Sequence, residues 1–165
     1  MWEYLQFLWK STNEHGVHSP FVFQFLTRGI YDFPLKKQYV HPRERLLQSA
    51  VYYFQPKTIF TTSNSFPYKL NVLTSNDILS SDFIIYYEEN NRLTIDEILE
   101  QLTPHQLLWI VPTDNRKNIL SKAKKNPTIT LTVDFFHGIL VSKRTEQLKQ
   151  TFYLRSFRYF GDFKI

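Results

Sequence analysis

The sequence predicts an α/β protein in which N-terminal helices precede a mainly parallel sheet that closes with an antiparallel hairpin. Apolar residues recur at helical spacing up to residue 54, and short β-rich runs begin at residue 57. Later runs alternate with helical stretches, a pattern typical of βαβ units. The last two runs are divided only by a turn at His137, so they form a hairpin. We expect a helical extension over residues 1–56 and an α/β core over residues 57–165.

Three helices are predicted in the extension. Residues 2–11 carry apolar side chains at helical spacing, and Asn13 begins a break. Ser19 is a good N-cap and Pro20 suits the first helical position, so a second helix begins there and ends near Asp32. A third helix is predicted over residues 43–54, with these residues facing inward: Leu46, Leu47, Ala50, Val51 and Phe54.

Six β-rich runs and two further helices are predicted in the core. One helix covers residues 94–102, where Thr94 and Glu97 have the spacing of a capping box, and the other covers residues 115–125. The strands are predicted at residues 57–62, 69–74, 82–88, 107–112, 128–135 and 138–143.

The lengths of the connections restrict the topology. A parallel crossover needs a dozen or more residues, and the connections from 88 to 107 and from 112 to 128 provide them. The connections from 62 to 69 and from 74 to 82 leave only six or seven residues. Either one side of the sheet has been shortened, or residues 69–74 run antiparallel.

Composition excludes several kinds of site. The chain of 165 residues has no cysteine, which excludes disulfides, thiolate zinc sites and cysteine nucleophiles. Only 4 glycines are present, and nucleotide-binding loops need glycine where the backbone closely approaches a phosphate or ribose. The five histidines lack a metal-ligand spacing, so no metal site is predicted. No apolar run reaches membrane-spanning length and no signal peptide is evident, so we expect a cytoplasmic protein.

The net charge of +5 comes mostly from the C-terminal region. A basic, aromatic tail can bind single-stranded nucleic acid by charge and stacking. The simpler interpretation, which we favour, is a closing strand with a solvated basic face, so nucleic acid is not expected as a partner. The residues concerned are Lys143, Arg144, Lys149, Arg155, Arg158 and Lys164, with Phe152, Tyr153, Phe157, Tyr159 and Phe160.

Both ends of the chain resemble one family. Residues 4–11 and the segment HGVHSPFVF at residues 15–23 resemble the N-terminus of a Bacteroidetes-type group of class I SAM-dependent methyltransferases. The C-terminal segments NPTITLTVDFF at 126–136, GIL at 138–140 and FYLR at 152–155 are similar to the end of the same family. The resemblance implies a Rossmann-like sheet, here truncated, and S-adenosyl-L-methionine as the cofactor if the family's activity is retained.

The resemblance also indicates where a SAM site would lie. In the family an acidic, glycine-rich loop follows the first strand, whereas this chain has Ser63, Asn64 and Ser65 there, with neither glycine nor acid. Those residues can form a turn and offer hydrogen bonds. Asp77 is the nearest candidate for the acid expected on the ribose hydroxyls.

Two further acids follow later strands. Glu88 stands where relatives have an aspartate at the exit of the fourth strand, and Asn91 replaces their histidine. Asp114 is the acid left from an Asp-Asp pair after the fifth strand, and it also suits the start of a helix. A metal-dependent transfer needs several converging carboxylates, which these residues do not provide. No catalytic residue is assigned.

Three functional hypotheses follow. The first is a methyltransferase-like protein that has lost SAM binding and catalysis and serves in binding or oligomerisation, with a homo-oligomer or protein partner contacting the N-terminal helices. The second is an active methyltransferase whose rebuilt pocket is lined by Glu88, Asp114 and the turn at residues 63–65. The third is nucleic-acid binding through the basic tail.

Overall fold

The computed structural model of the chain describes residues 2–63, 73–88, 93–145 and 148–157. It divides into two compact units. Among the described residues, the first unit contains residues 2–55, 133–137 and 152–157, and the second contains residues 56–63, 73–88, 93–132, 138–145 and 148–151. The division after Gln55 lies beside the predicted boundary at residue 56, and two C-terminal segments belong with the N-terminal helices.

The first unit contains the three predicted helices. They are α1 (Trp2–Lys10), α2 (Pro20–Gln24) and α3 (Pro42–Phe54). Ser19 caps α2 as expected, since its hydroxyl accepts a hydrogen bond from the backbone N–H of Val22. The second helix reaches the predicted end near Asp32, but it continues beyond α2 as a π-helical segment, Phe25–Tyr31.

Gly29 lies inside this π-helical segment and faces α3. A Cβ atom at this position would come within 2.7 Å of the Phe25 ring and 3.0 Å of the Tyr53 ring. Real Cβ atoms are excluded from such distances, so glycine here lets the two helical segments pack closely.

The C-terminal segment of the first unit holds the end of α1. The guanidinium group of Arg155 donates hydrogen bonds to the carbonyl oxygens of Ser11 at 3.1 Å and Leu8 at 3.4 Å. Thr12 and Leu154 form a parallel β-bridge beside them. Carbonyl groups at a helix C-terminus have no partner within the helix, so these bonds cap α1.

The structure places seven strands in one sheet, mostly parallel with an antiparallel part, and five α-helices among the described residues. The remaining helices are α4 (Ile95–Gln101) and α5 (Arg116–Lys125). The order of the strands across the sheet is β2-β1-β3-β4-β6-β5-β7. Their bounds are β1 (Thr58–Thr61), β2 (Leu73–Ser75), β3 (Phe83–Tyr87), β4 (Leu107–Val111), β5 (Leu131–Asp134), β6 (Ile139–Ser142) and β7 (Gln150–Tyr153).

The four strands β1 to β4 are parallel to one another, and β6 pairs antiparallel with β4. The predicted hairpin corresponds to β5 and β6, which are neighbours in the sheet. The closing strand predicted as the simpler interpretation of the basic tail is confirmed as β7.

The strand predicted at residues 69–74 is described only from residue 73, within β2. The alternative of an antiparallel second strand is wrong for this part, because β2 pairs parallel with β1. The chain returns from β2 to β3 through residues 76–82, without a helix. Seven extended residues span at most about 23–25 Å. The returning chain must run back along a strand of only three residues, which is about 10 Å. It must also move sideways by two strand spacings, again about 10 Å. A short β2 therefore permits a short crossover, and the sheet is shortened on this side.

The side-chain amide of Gln106 secures this crossover. Its Nε2 donates to the carbonyl oxygens of Ile78 at 2.6 Å and Ser81 at 2.8 Å, while its Oε1 accepts from the backbone N–H of Thr103 at 2.9 Å. Gln106 is buried, and each polar atom of its side chain is hydrogen-bonded. One glutamine thus ties residues 78–81 to the segment that enters β4.

Candidate functional site

The candidate site lies at the carboxyl ends of the parallel strands in the second unit. From β1 the chain passes to β2 on one side and then to β3 on the other, so the strand order reverses between β1 and β3. In open α/β sheets, ligands bind outside the carboxyl ends of the strands at such a switch point. The described candidates Ser63, Asp77, Glu88 and Asp114 each follow the carboxyl end of one of these strands.

A threonine links the two strands at the switch point. Thr62 follows β1, and its hydroxyl oxygen accepts a hydrogen bond from the backbone N–H of Tyr87 at 2.8 Å. The same hydroxyl donates to the carbonyl oxygen of Tyr87 at 3.1 Å. The backbone N–H of Thr62 donates to the carbonyl oxygen of Ile85, which continues the strand pairing. Thr62 is 1% exposed, so its side chain is shielded from solvent.

The turn after β1 is described only at its first residue. The backbone N–H of Ser63 donates to the hydroxyl oxygen of Thr61 at 3.2 Å, and the Ser63 side chain is largely buried. The predicted site residues Asn64 and Ser65 lie outside the described residues.

Asp77 organises the crossover between β2 and β3. Its carboxylate accepts a hydrogen bond from the backbone N–H of Leu79 at 3.0 Å. Its carbonyl oxygen accepts from the hydroxyls of Ser75, Ser80 and Ser81 at 2.8–3.1 Å. This is an Asx-turn arrangement, which shapes a loop. The side chain is exposed at the sheet edge where the ribose-binding acid was predicted.

Glu88 binds the loop that follows β4. One carboxylate oxygen accepts a hydrogen bond from the hydroxyl of Thr113, and the other accepts from the side-chain amide of Asn115 at 2.6 Å. The Thr113 hydroxyl oxygen also accepts from the backbone N–H of Asn115. Both oxygens of Glu88 are therefore engaged by the chain itself, whereas Asp114, between the two donors, is exposed.

Tyr86 is the buried titratable neighbour of Glu88. Burial raises the pKa of the Tyr86 phenol above its ordinary value of 10.0, and the negative charges of Glu88 and Asp96 raise it further, against a hydrogen bond from the backbone of Ile95. The phenol is consequently protonated at neutral pH. Acid–base catalysis needs a group that titrates near the working pH, so Tyr86 is poorly suited to that role.

The structure brings Glu88 and the loop carrying Asp114 together. It adds three residues that sequence reasoning missed: Thr62, Thr113 and Asn115. Only Asn115 gave a signal, as the start of a predicted helix. Within the described part of the chain, no group of three or more histidines or acids could hold a metal ion.

Several basic residues of the C-terminal region bind backbone carbonyls. Lys149 donates to the carbonyl oxygen of Asn126 at 2.7 Å, and Lys143 donates to that of Glu100 at 3.1 Å. Arg155 caps α1 as described above. The predicted nucleic-acid-binding residues Arg158 and Lys164, with Tyr159 and Phe160, lie outside the described residues. Part of the positive charge thus has a structural use.

Comparison of the chain with protein-family models, with curated proteins and with solved structures gave no significant match. None of the helices in the described ranges combines the length and apolar character that crossing a membrane requires.

Proposed function

We propose that this chain is a shortened class I methyltransferase-like protein that has lost SAM binding and catalysis, and that it serves as a binding or oligomerisation module. The N-terminal helices would carry the contact surface. The proposal combines the resemblance at both ends of the chain with a Rossmann-like interpretation of the parallel strands.

The link between Thr62 and Tyr87 is the observation that carries the proposal. In open α/β folds a cofactor binds in the crevice just outside the two strand ends at a switch point, so the groups that end these strands line its site. Here the Thr62 hydroxyl satisfies both the N–H and the carbonyl of Tyr87. Separating the two strand ends here would break both of these hydrogen bonds, which has a cost in stability.

The second support is the engagement of Glu88. This acid, at the strand exit where relatives have an aspartate, would have to accept hydrogen bonds from a ligand. In this chain Thr113 and Asn115 already donate to the two oxygens of Glu88. A ligand would have to share these oxygens with both donors.

The third support is the distribution of glycine. No glycine occurs between residues 57 and 112, the segment in which the family places its SAM-binding loop. Gly16, Gly29 and Gly138 each pack against a neighbouring side chain instead.

Isothermal titration of the purified chain with SAM and with S-adenosylhomocysteine tests the proposal. We expect no heat of binding and no change in melting temperature with either compound. Binding of either compound in the micromolar range would contradict the loss of cofactor binding.

An active methyltransferase with a rebuilt pocket is the second candidate function. It is favoured by one observation: Asp114 is exposed beside the engaged Glu88, at the sheet edge that also carries Ser63. For methyl transfer a protein mainly has to place the activated methyl group in line with the nucleophile of the substrate. If SAM binds, this candidate requires that Asp114→Asn weaken binding by about tenfold while Glu100→Gln, an exposed acid at the end of α4, leaves it unchanged.

A further inference from the structure

Helix α1 is apolar on two opposite faces. Its inner face packs within the first unit, where Phe7 is buried and Tyr4 lies edge-on to Phe136 with ring centroids 4.7 Å apart. Phe7 also contacts Phe136, with centroids 5.4 Å apart. These contacts fix the orientation of α1, so its opposite side faces solvent.

We call the opposite side the outer face of α1; it consists of Trp2, Leu5 and Trp9. These residues are spaced at i, i+3 and i+7, which places them in one stripe along the helix. Trp2 is 71% exposed, Leu5 is 52% exposed and Trp9 is 92% exposed. Two tryptophans exposed to this extent in one stripe are unusual for a surface that contacts only water, because Trp is mostly buried on average.

We propose that the outer face of α1 binds the same face of a second copy of this chain, with the two helices antiparallel about a twofold axis near Leu5. This inference rests on the proposed function as an oligomerisation module and names the partner.

The positions of the apolar residues suit self-association. Seven residues, or about 10.5 Å along the helix, separate Trp2 from Trp9, and Leu5 lies close to the midpoint. Antiparallel pairing therefore places Trp2 of one copy opposite Trp9 of the other and brings the two Leu5 side chains together. A twofold interface requires this kind of self-complementary patch.

The charges of α1 are complementary in the same arrangement. Glu3 lies in the first turn and Lys10 in the last, both exposed and on the same flank of the helix because they too are seven residues apart. Antiparallel pairing places Glu3 of one copy and Lys10 of the other on the same side of the interface and at similar heights, twice in the dimer. Parallel pairing would place the two copies of this flank on opposite sides of the interface, where their charges could not pair.

The area is sufficient for a modest dimer. The three side chains expose on the order of 500 Å² per copy, since a large aromatic side chain carries about 150–250 Å². Two copies would bury on the order of 1,000 Å², which is the lower bound for a specific interface. We expect dissociation constants in the micromolar range.

An anionic membrane surface fits less well than a second copy. Membrane-surface helices are rich in Lys and Arg beside their apolar stripe. Glu3 and Lys10 leave α1 without a net charge, so it gains nothing from anionic lipid.

Sedimentation equilibrium of the full chain over a concentration series tests the proposal. We expect a monomer–dimer equilibrium that Trp9→Ser weakens at least tenfold, whereas Tyr52→Ser, which removes an exposed aromatic residue of α3, leaves it unchanged. Circular dichroism and the melting temperature establish that the variants are folded. A chain that stays monomeric throughout, or a dimer that withstands both Trp9→Ser and Leu5→Ser, would overturn the proposal.

Charge exchange tests the antiparallel orientation. Glu3→Lys and Lys10→Glu should each weaken the dimer about two- to fivefold, and equal amounts of the two chains should form mixed dimers in preference to either alone. The double variant Glu3→Lys/Lys10→Glu should restore dimerisation, apart from a small loss of helix stability shared by both copies. Failure of both the mixture and the double variant to recover dimerisation would rule out this pairing.

Two further outcomes separate the alternatives. Co-sedimentation of a monomeric chain with phosphatidylserine–phosphatidylcholine vesicles, abolished by Trp9→Ser, would overturn the proposal in favour of a lipid surface. The SAM titration is independent of these measurements. A chain that dimerises through α1 and also binds SAM would refute the loss of cofactor binding and uphold this interface.

Discussion

The Thr62 hydroxyl forms hydrogen bonds with both polar groups of the Tyr87 peptide backbone, as an acceptor at 2.8 Å and as a donor at 3.1 Å. A threonine side chain thereby takes the place of a strand neighbour at the point where β1 ends. The link joins the ends of β1 and β3 at the switch point of the sheet, the place outside which ligands bind in open α/β folds.

Thr62→Val should lower the free energy of unfolding by about 2 kcal/mol, because valine keeps the shape but cannot form the two hydrogen bonds with the N–H and carbonyl of Tyr87. Urea unfolding measures the change. Thr74→Val on exposed β2 is the matched control and should change the stability by less than about 0.5 kcal/mol. Equal effects of the two substitutions would show that the Thr62 hydroxyl is not a structural link.

Gln106→Leu should destabilise the crossover at residues 76–82 more than the rest of the sheet, since it removes three hydrogen bonds at one buried position. We expect a loss of about 3 kcal/mol and faster amide hydrogen exchange in the segment 78–82. Gln101→Leu, at an exposed position at the end of α4, is the control. Uniform acceleration of exchange throughout the sheet would contradict a local role.

Gly138→Ala should destabilise the fold by about 2–4 kcal/mol, because a Cβ there would lie 2.2 Å from Cζ2 of the fully buried Trp109. Trp109→Phe shortens the opposing side chain and should reduce the cost of Gly138→Ala in the double variant. Thermal denaturation of the wild-type chain, the two single variants and the double variant gives the coupling energy between the two positions. Strictly additive losses of stability would mean that the Trp109 ring does not obstruct a Cβ at position 138.

Arg155→Lys distinguishes a structural role from a nucleic-acid role for the basic tail. Lysine keeps the charge but loses the planar fork that reaches the carbonyls of Leu8 and Ser11. We expect Arg155→Lys to lower the melting temperature nearly as much as Arg155→Ala does. A lysine variant of wild-type stability would refute capping by Arg155. Retained, salt-dependent binding of an oligonucleotide by that variant would support the nucleic-acid hypothesis.

Asp82 should make stability dependent on pH in the acid range. Burial acts to raise the pKa of its carboxyl, but the hydrogen bonds from the backbone N–H of Lys57 and from Thr58 outweigh burial, so the pKa lies below the ordinary 3.8. A carboxyl whose pKa is lowered on folding stabilises the protein above its unfolded pKa and loses this contribution as the pH falls through its folded pKa.

The stability difference between the wild-type chain and Asp82→Asn measures this contribution. It should be constant near neutral pH and shrink as the pH falls below about 4. Asparagine retains an acceptor for the Lys57 N–H, but its amide nitrogen cannot accept from Thr58, so the constant difference includes that lost bond and only the pH-dependent part reports the charge. A difference that grows on acidification would mean that the pKa is raised on folding.

Local signals in the sequence predicted the helix starts correctly. Ser19 and Pro20 mark α2, and Thr94 with Glu97 forms the capping box of α4, with both reciprocal hydrogen bonds present. These patterns act over three or four residues, so the sequence contains all of the information they need.

Interactions between distant residues were not predictable in the same way. In the sequence Thr62 is indistinguishable from an ordinary β-branched strand residue, because its partner Tyr87 is 25 positions away. The engagement of Glu88 by Thr113 and Asn115 likewise depends on which strands become neighbours. The direction of β2 stayed open because crossover lengths assume strands of ordinary length, whereas β2 has three residues.

The cap on α1 also has a consequence for biosynthesis. A ribosome delivers residues 2–55 first, but Arg155 follows about 100 residues later, which is roughly 5–20 s at ordinary elongation rates. During that interval α1 exists as nascent chain without the partner that receives its last carbonyls. An early stop codon or a translational pause before residue 152 would therefore leave the N-terminal helices as a substrate for chaperones.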